Sequence, residues 1–271
     1  MKKLGLIAGN GQLPLAVAKE AREKGYSVFA VGLEPLVDAG LQHVVDMMEC
    51  INVGKLGRII EALKQAGVQE AVMAGKVPKT LLYTSRIIPD LRAVKVLMSL
   101  KDNKDDTILH ALSEELRREG ITLVKTTSFT ESIMAHEGVM TRKRPSRDHL
   151  KDIEFGFPIA KQIGGLDIGQ SIIVKDRAVM AVEAIEGTDE AIRRGGRLSG
   201  EGAVVIKVAK IGQDLRFDVP AVGMNTLSAM AEVRAAVLAL EAQATIIMEK
   251  NNVLQEADRL GISLVGIRAG A

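Results

Sequence analysis

Short apolar runs alternate with amphipathic stretches along the first half of the chain. Leu4–Ala8 has the pattern of a buried strand. Leu13, Val17 and the alanines at 16, 18 and 21 then predict a helix ending near Gly25. Ser27–Val31 reads as the next strand, and Leu56, Ile59, Ile60 and Leu63 recur at helical spacing up to Gly67. Ala71–Ala74 is strand-like, Leu91–Leu100 and Thr107–Glu119 predict two helices, and Ile121–Lys125 predicts a strand. Strands separated by helices argue βαβ units and a parallel sheet, so residues 1–135 are expected to form a Rossmann-like α/β domain.

Residues 136–158 change character. Arg142, Lys143, Arg144, Arg147 and Lys151 cluster around Pro145, with Gly156 and Pro158 following, which reads as a domain connection around Gly138–Pro158. Beyond it, Ser171–Lys175 and Ala178–Ile185 are strand runs split by Asp176-Arg177, a short hairpin. Ala203–Val208 is another strand, Thr226–Leu240 an Ala-rich helix, and Ala244–Met248 a strand. A helix over Asn252–Leu260 stops at Gly261, and the strand Ile262–Ile267 follows. The expected class is therefore two α/β domains, with residues 136–271 forming a second domain around a mixed sheet.

Composition narrows the partners. Lys and Arg number 36 against 34 Asp and Glu, a formal net charge of +2, so no strong field draws the protein to a polyanion. Aromatic residues are 3% with no Trp, which removes the stacking platforms that single-stranded nucleic acid needs. The single Cys50 excludes a disulfide framework and fits a reducing cytoplasm; the four histidines are scattered. No run of eighteen apolar residues is present. Lys2-Lys3 and the apolar run after it imitate a signal peptide, but Gly9-Asn10-Gly11-Gln12 interrupts the run. The basic run Arg142–Lys151 reads as a solvated face or as a contact with an anionic lipid surface or headgroup.

Candidate chemistry lies in both halves. Gly9-Asn10-Gly11-Gln12-Leu13-Pro14 joins the first strand to the first helix, where backbone N–H groups and the helix dipole favour a phosphate. Pro14 stands where the dinucleotide fingerprint has its third glycine, and Glu34 lies at the spacing of a ribose-binding acid. Nucleotide binding and a plain βα turn both remain open for this segment. Asp102-Asn103-Lys104-Asp105-Asp106 reads as a helix cap sooner than as a cation loop. Gln170 leads into the hairpin and Glu183 leaves it. Thr188 or Asp189 is an N-cap for the next helix or, with Gly187, an anion site. Lys207, Arg216 and Asp218 are candidates for a phosphate and hard-cation site, or members of a mixed-charge surface turn.

Taken together, these segments resemble a known family. The residues are Ile7-Ala8-Gly9-x-Gly11-x-Leu13-Pro14, Gly75-Lys76-Val77, Asp105-Asp106-x-Ile108-Leu109 and Ile168-Gly169-Gln170-Ser171. To these the second half adds Val182-Glu183-Ala184-Ile185-Glu186-Gly187-Thr188-Asp189 and Lys207-x-x-Lys210-x-x-Gln213-Asp214-x-Arg216-Phe217-Asp218-x-Pro220. In order and over the whole chain they look like the UDP-2,3-diacylglucosamine pyrophosphatases of lipid A synthesis, the LpxI type. The resemblance implies hydrolysis of the UDP-sugar pyrophosphate to UMP and 2,3-diacylglucosamine 1-phosphate (lipid X). It also implies a requirement for Mg²⁺, a substrate held between two domains, a homodimer, and Asp218 as the essential aspartate. Lys76, Gln170, Glu183, Thr188, Asp189, Lys207 and Arg216 are then expected at the substrate, with Gly9–Leu13 near the nucleotide. Met224-Asn225 departs from the family, which usually has proline after Val222-Gly223. Two other classes stay open on the residues alone: an NAD(P)-binding oxidoreductase and a non-catalytic nucleotide- or lipid-binding regulator.

Overall fold

The computed structural model describes residues 2–78, 87–100, 105–217 and 219–268. They fall into two compact units. Unit 1 takes the described residues within 1–130 together with Leu215–Phe217, and unit 2 those within 131–214 and 218–271.

Unit 1 alternates strand and helix: β1 (Lys2–Ala8), α1 (Leu13–Glu23), β2 (Tyr26–Glu34), β3 (Met47–Asn52), α2 (Leu56–Gln65), β4 (Glu70–Ala74), α3 (Leu91–Met98), α4 (Asp105–Arg118) and β5 (Thr122–Leu123). The five strands form one parallel sheet in the order β3-β2-β1-β4-β5. The pleat sends Leu4, Leu6 and Ala8 into a core with Val17, Ala18 and Ala21 of α1. It sends Ile7 to the other face, among Ile59, Ile60 and Leu63 of α2 and Leu116 of α4. Both faces are covered, which is why the strands read as unbroken apolar runs. The strand order reverses between β1 and β4, the switch point at which open α/β sheets bind ligands. The side chains of Asp102–Asp106 lie outside the described residues.

Unit 2 is built on a mixed six-stranded sheet in the order β6-β13-β11-β9-β7-β8. Its elements are β6 (Gly138–Val139), α5 (Arg147–Gly165), β7 (Ser171–Lys175), β8 (Ala178–Val182), α6 (Thr188–Ser199), β9 (Val204–Lys207), β10 (Ala221–Val222), α7 (Met224–Glu232), β11 (Val237–Glu241), β12 (Ile246–Ile247), α8 (Lys250–Leu260) and β13 (Ser263–Ile267). Strands β9, β11 and β13 run parallel; β6 and β7 pair antiparallel to them. One face, with Val204, Ile206 and Ala239, packs on Ile153 and Ala160 of α5. The other, with Val205, Leu238 and Leu240, packs on Ile192 of α6, Leu227 of α7 and Val253 of α8. The hairpin turn carries Asp176 and Arg177 at φ 51° and 58°, the pair of left-handed residues that a type I′ turn requires. Both of their N–H groups donate to the buried Asp152 carboxylate, at 3.2 and 2.7 Å.

Two expectations are corrected. The segment around Gly138–Pro158 is not a connection. Its ends form β6, paired to β13, and most of α5, which Ser146 and His149 start with a reciprocal capping box. Pro158 is tolerated inside α5 because it lies on the exposed side, where the carbonyl of Glu154, itself exposed, is left to water. The helix expected over Thr226–Leu240 ends at Glu232, and Val237–Glu241 is a fully buried strand in the middle of the sheet. Arg234, at φ 51°, makes the left-handed turn between them. Among the described residues no helix is long and apolar enough to cross a membrane.

Candidate functional site

The parity of the strands decides which polar groups meet at the C-terminal edge of the unit 2 sheet. Lys207, last in β9, shares a face with Val205 and therefore points to the α6 side. Ser171, first in β7, is its register partner. Lys207 is only 6% exposed, and its Nζ donates to Thr188 Oγ1 at 2.7 Å and to Ser171 Oγ at 3.3 Å. Thr188 Oγ1 in turn donates to Glu183 Oε1 at 2.8 Å, and Glu183 Oε2 stands 3.9 Å from the Lys207 ammonium. The backbone N–H of Gln170 donates to the same carboxylate at 3.3 Å. Four groups singled out in the sequence, at 170, 183, 188 and 207, thus form one polar cluster around a buried positive charge.

Local geometry explains why these residues converge. Glu183 follows directly on β8, with its N–H returning to Ser171 O at 2.8 Å. A Cβ on Gly169 would come within 2.1 Å of Glu183 O, so only glycine lets the two chains cross there. Thr188 is not an N-cap, as the sequence suggested; Gly187 holds that position at φ 84°, and no side chain caps α6. Asp189 is not the cap either: it lies in the first helical turn and its carboxylate accepts from Thr226 Oγ1 at 3.4 Å. The cluster therefore sits at a helix N-terminus whose first N–H groups have no intrahelical acceptor, beside a buried ammonium. Its chemistry is that of an anion site.

Unit 1 offers a turn made almost entirely of backbone. Gly9 N–H donates to Ala74 O at 2.8 Å, while Asn10 and Lys76 exchange backbone bonds of 2.9 and 2.8 Å. A Cβ on Gly9 would stand 2.8 Å from Lys76 O, so this glycine serves the close approach of the loops leaving β1 and β4. Gly11 has φ 101° and open space beside it. Gln12 is the N-cap residue of α1, and Pro14 lies in the first turn, where its missing N–H costs nothing. The donors this turn offers are those of Gly11–Leu13, at the switch point of the sheet. Lys76 and Gln12 are exposed there.

Arg216 belongs to unit 1: Nη1 donates to Ser113 Oγ at 3.2 Å, and the guanidinium lies 4.9 Å from the centre of the Phe217 ring. Asp218 lies outside the described residues. Among the described residues no three His, Cys, Asp or Glu side chains converge as a metal cage. Sequence reasoning missed Lys161 and Glu241, which bind the loop leaving β9. Glu241 ends the run Val237–Glu241, and a carboxylate closing a buried strand is the signal that would have marked it.

Fold and edges together define a two-unit α/β protein with a hydrogen-bonded cluster around the buried Lys207 at one sheet edge and a glycine turn at the switch point of the other sheet. The LpxI N-terminal domain matches residues 3–133 and the LpxI C-terminal domain residues 136–265; the chain belongs to the LpxI family. It is 31% identical over 278 residues to the UDP-2,3-diacylglucosamine pyrophosphatase LpxI of Caulobacter vibrioides, with 98% of each chain covered. Among solved structures it is similar to phosphoribosylglycinamide synthetase from Anaerococcus prevotii, at 12% identity over 70% of this chain and 34% of that one, TM-score 0.27. A likeness to N5-carboxyaminoimidazole ribonucleotide synthetase from Thermotoga maritima has 17% identity over 64% and 38%, TM-score 0.25. Similarity at that level carries no argument. Met224, where the resemblance leads one to expect proline, is the first residue of α7 after its N-cap Gly223, a position that accommodates proline without loss of a helical hydrogen bond.

Proposed function

We propose that this protein is a hydrolase of lipid A biosynthesis that cleaves the pyrophosphate of UDP-2,3-diacylglucosamine to UMP and 2,3-diacylglucosamine 1-phosphate, with Mg²⁺ required. The observation that carries this reading is the likeness to the Caulobacter vibrioides enzyme along 98% of both chains. The Lys207–Thr188 cluster supports it, because a pyrophosphate needs positive charge and N–H donors held in place before it arrives.

In this reading Lys207 and the N-terminus of α6 receive phosphoryl oxygens, and Glu183 fixes the direction of the Thr188 hydroxyl by accepting its hydrogen bond. Asp189 and Gln170 line the same edge. Gly9–Leu13 and Lys76 take the nucleotide end, and Arg216 adds a guanidinium. Asp218 is assigned, on the family resemblance, to holding the cation or orienting the attacking water. Magnesium prefers oxygen ligands and is commonly held by one or two carboxylates plus substrate phosphates. An edge whose donors are carboxylates and hydroxyls fits that ion without a three-carboxylate cage. When bound, the cation neutralises charge that builds on the phosphoryl oxygens. A cytoplasmic homodimer that touches the inner membrane surface through Arg142–Lys151 completes the proposal.

The test is direct. Purified protein incubated with UDP-2,3-diacylglucosamine and Mg²⁺ should release UMP and the lipid 1-phosphate in equal amounts. EDTA should abolish release and added Mg²⁺ restore it. Undiminished activity after exhaustive chelation would remove the metal from the proposal.

A further inference from the structure

The first three peptides of the loop that leaves β9 are each held by a hydrogen bond. Val208 N–H donates to Gln170 O at 2.9 Å, and Lys210 N–H donates to Gln213 Oε1 at 2.8 Å. Between them the Ala209 peptide is gripped from both sides. Its N–H donates to Glu241 Oε2 at 2.8 Å, and its carbonyl accepts from Lys161 Nζ at 2.7 Å. Lys161 and Glu241 are themselves paired at 3.0 and 2.9 Å. Glu241 is 6% exposed. Strand parity puts it on the α5 side of the sheet, opposite to Lys207. On α5, one turn from Lys161, Gly164 lets the helix close on this loop; a Cβ there would lie 3.3 Å from Lys210 Cα.

We infer that Lys161 and Glu241 are positioning residues for the Lys207–Thr188 site. They lock Ala209, two residues beyond Lys207, and so fix where the end of β9 delivers its ammonium. The inference rests on the proposed hydrolysis for its kinetic readout only. An ion pair that merely stabilises the fold is commonly replaceable by apolar residues of similar volume without loss of stability. A clamp is not, because the Ala209 N–H and C=O lose their partners whatever fills the space.

The experiment therefore compares Lys161→Met/Glu241→Leu with wild type by thermal melting, UMP release and amide hydrogen exchange. The expected result is a melting temperature several degrees below wild type because both Ala209 peptide groups lose their partners, a kcat roughly ten- to a hundredfold lower with KM little changed, and faster exchange at Val208–Lys210. Wild-type kcat and exchange in that variant would overturn the inference. If the double variant does not fold, Glu241→Gln decides: it keeps an acceptor for Ala209 N–H but no charge for Lys161. A drop in kcat with retained KM, and recovery of most activity in Lys161→Arg, supports the clamp; unchanged kcat and exchange contradict it. Exchange is measured without substrate. A wild-type protein that releases no UMP thus fails the proposed function, while the exchange data still judge the clamp.

Discussion

The parallel sheet of unit 1 and the mixed sheet of unit 2 end in turns built from different material. In unit 1 the edge between β1 and β4 is backbone: Gly9 bonds to Ala74, and Asn10 to Lys76, through main-chain groups, and Lys76 is exposed. In unit 2 the edge is side chain: Lys207, Ser171, Thr188 and Glu183 are joined in a largely buried hydrogen-bonded network, and Glu241 with Lys161 backs it from the other face. A backbone turn recognises shape and a phosphate in general. A buried, fully oriented charge is held by the fold in advance, which is where transition-state stabilisation comes from. Under the proposed function, the unit 1 turn serves recognition and the unit 2 edge serves chemistry.

The largest effect should come from Asp218→Ala. Turnover should vanish to within the assay limit while substrate still binds, because a group that holds a cation or orients water acts mainly in the transition state. Equilibrium binding of UDP-2,3-diacylglucosamine beside a UMP assay checks this, and near wild-type kcat would remove Asp218 from the reaction. Next comes Gly9→Ala. The new methyl meets Lys76 O at 2.8 Å, a backbone atom, so the loops leaving β1 and β4 must part. The expected cost is about 1–3 kcal/mol by urea unfolding, with a raised KM and a kcat close to wild type. A KM unchanged by this variant would separate the turn from recognition.

The smallest effect concerns His149 and acid. Burial, then the nearby Lys175, holds its pKa below the usual value, with Asp152 opposing and Lys143 adding to the shift. Its Nδ1 accepts the Ser146 N–H that starts α5, which needs the neutral ring. A pKa lowered on folding means that the unfolded chain binds the proton more readily. The stability contribution is therefore present above the ordinary histidine pKa near 6.5 and is lost as pH falls through the folded value. Urea midpoints should decline below about pH 6.5, and His149→Gln, which keeps an acceptor at that helical position, should flatten the decline.

Much of this was legible in the residues. The alternation from Leu4 to Leu123 showed a parallel α/β unit because β1, β2 and β4 are largely buried and the helices between them carry apolar stripes; the half-exposed edge strand β3, Met47–Asn52, lacks that run and was not legible. The candidates Gln170, Glu183, Thr188 and Lys207 converge because each flanks a strand or helix end at one edge of the sheet. Other parts could not be read locally. Thr226–Leu240 carries no glycine or proline stop, since the chain turns at Arg234 in a left-handed conformation that a sequence pattern does not announce. The basic, proline-bearing run before Pro158 hid a helix because its cap, Ser146 with His149, lacks the usual acidic partner. Glu241 lay one residue beyond a misread helix, although the parity of the strand Val237–Glu241 places it beside Lys161.

The division between recognition and chemistry is tested most directly by Lys207→Met, followed by single-turnover UMP release and equilibrium substrate binding on the same preparation. The account predicts that release slows by roughly a hundredfold or more while the Kd shifts far less. A variant that binds weakly yet releases UMP at the wild-type rate once saturated would contradict it.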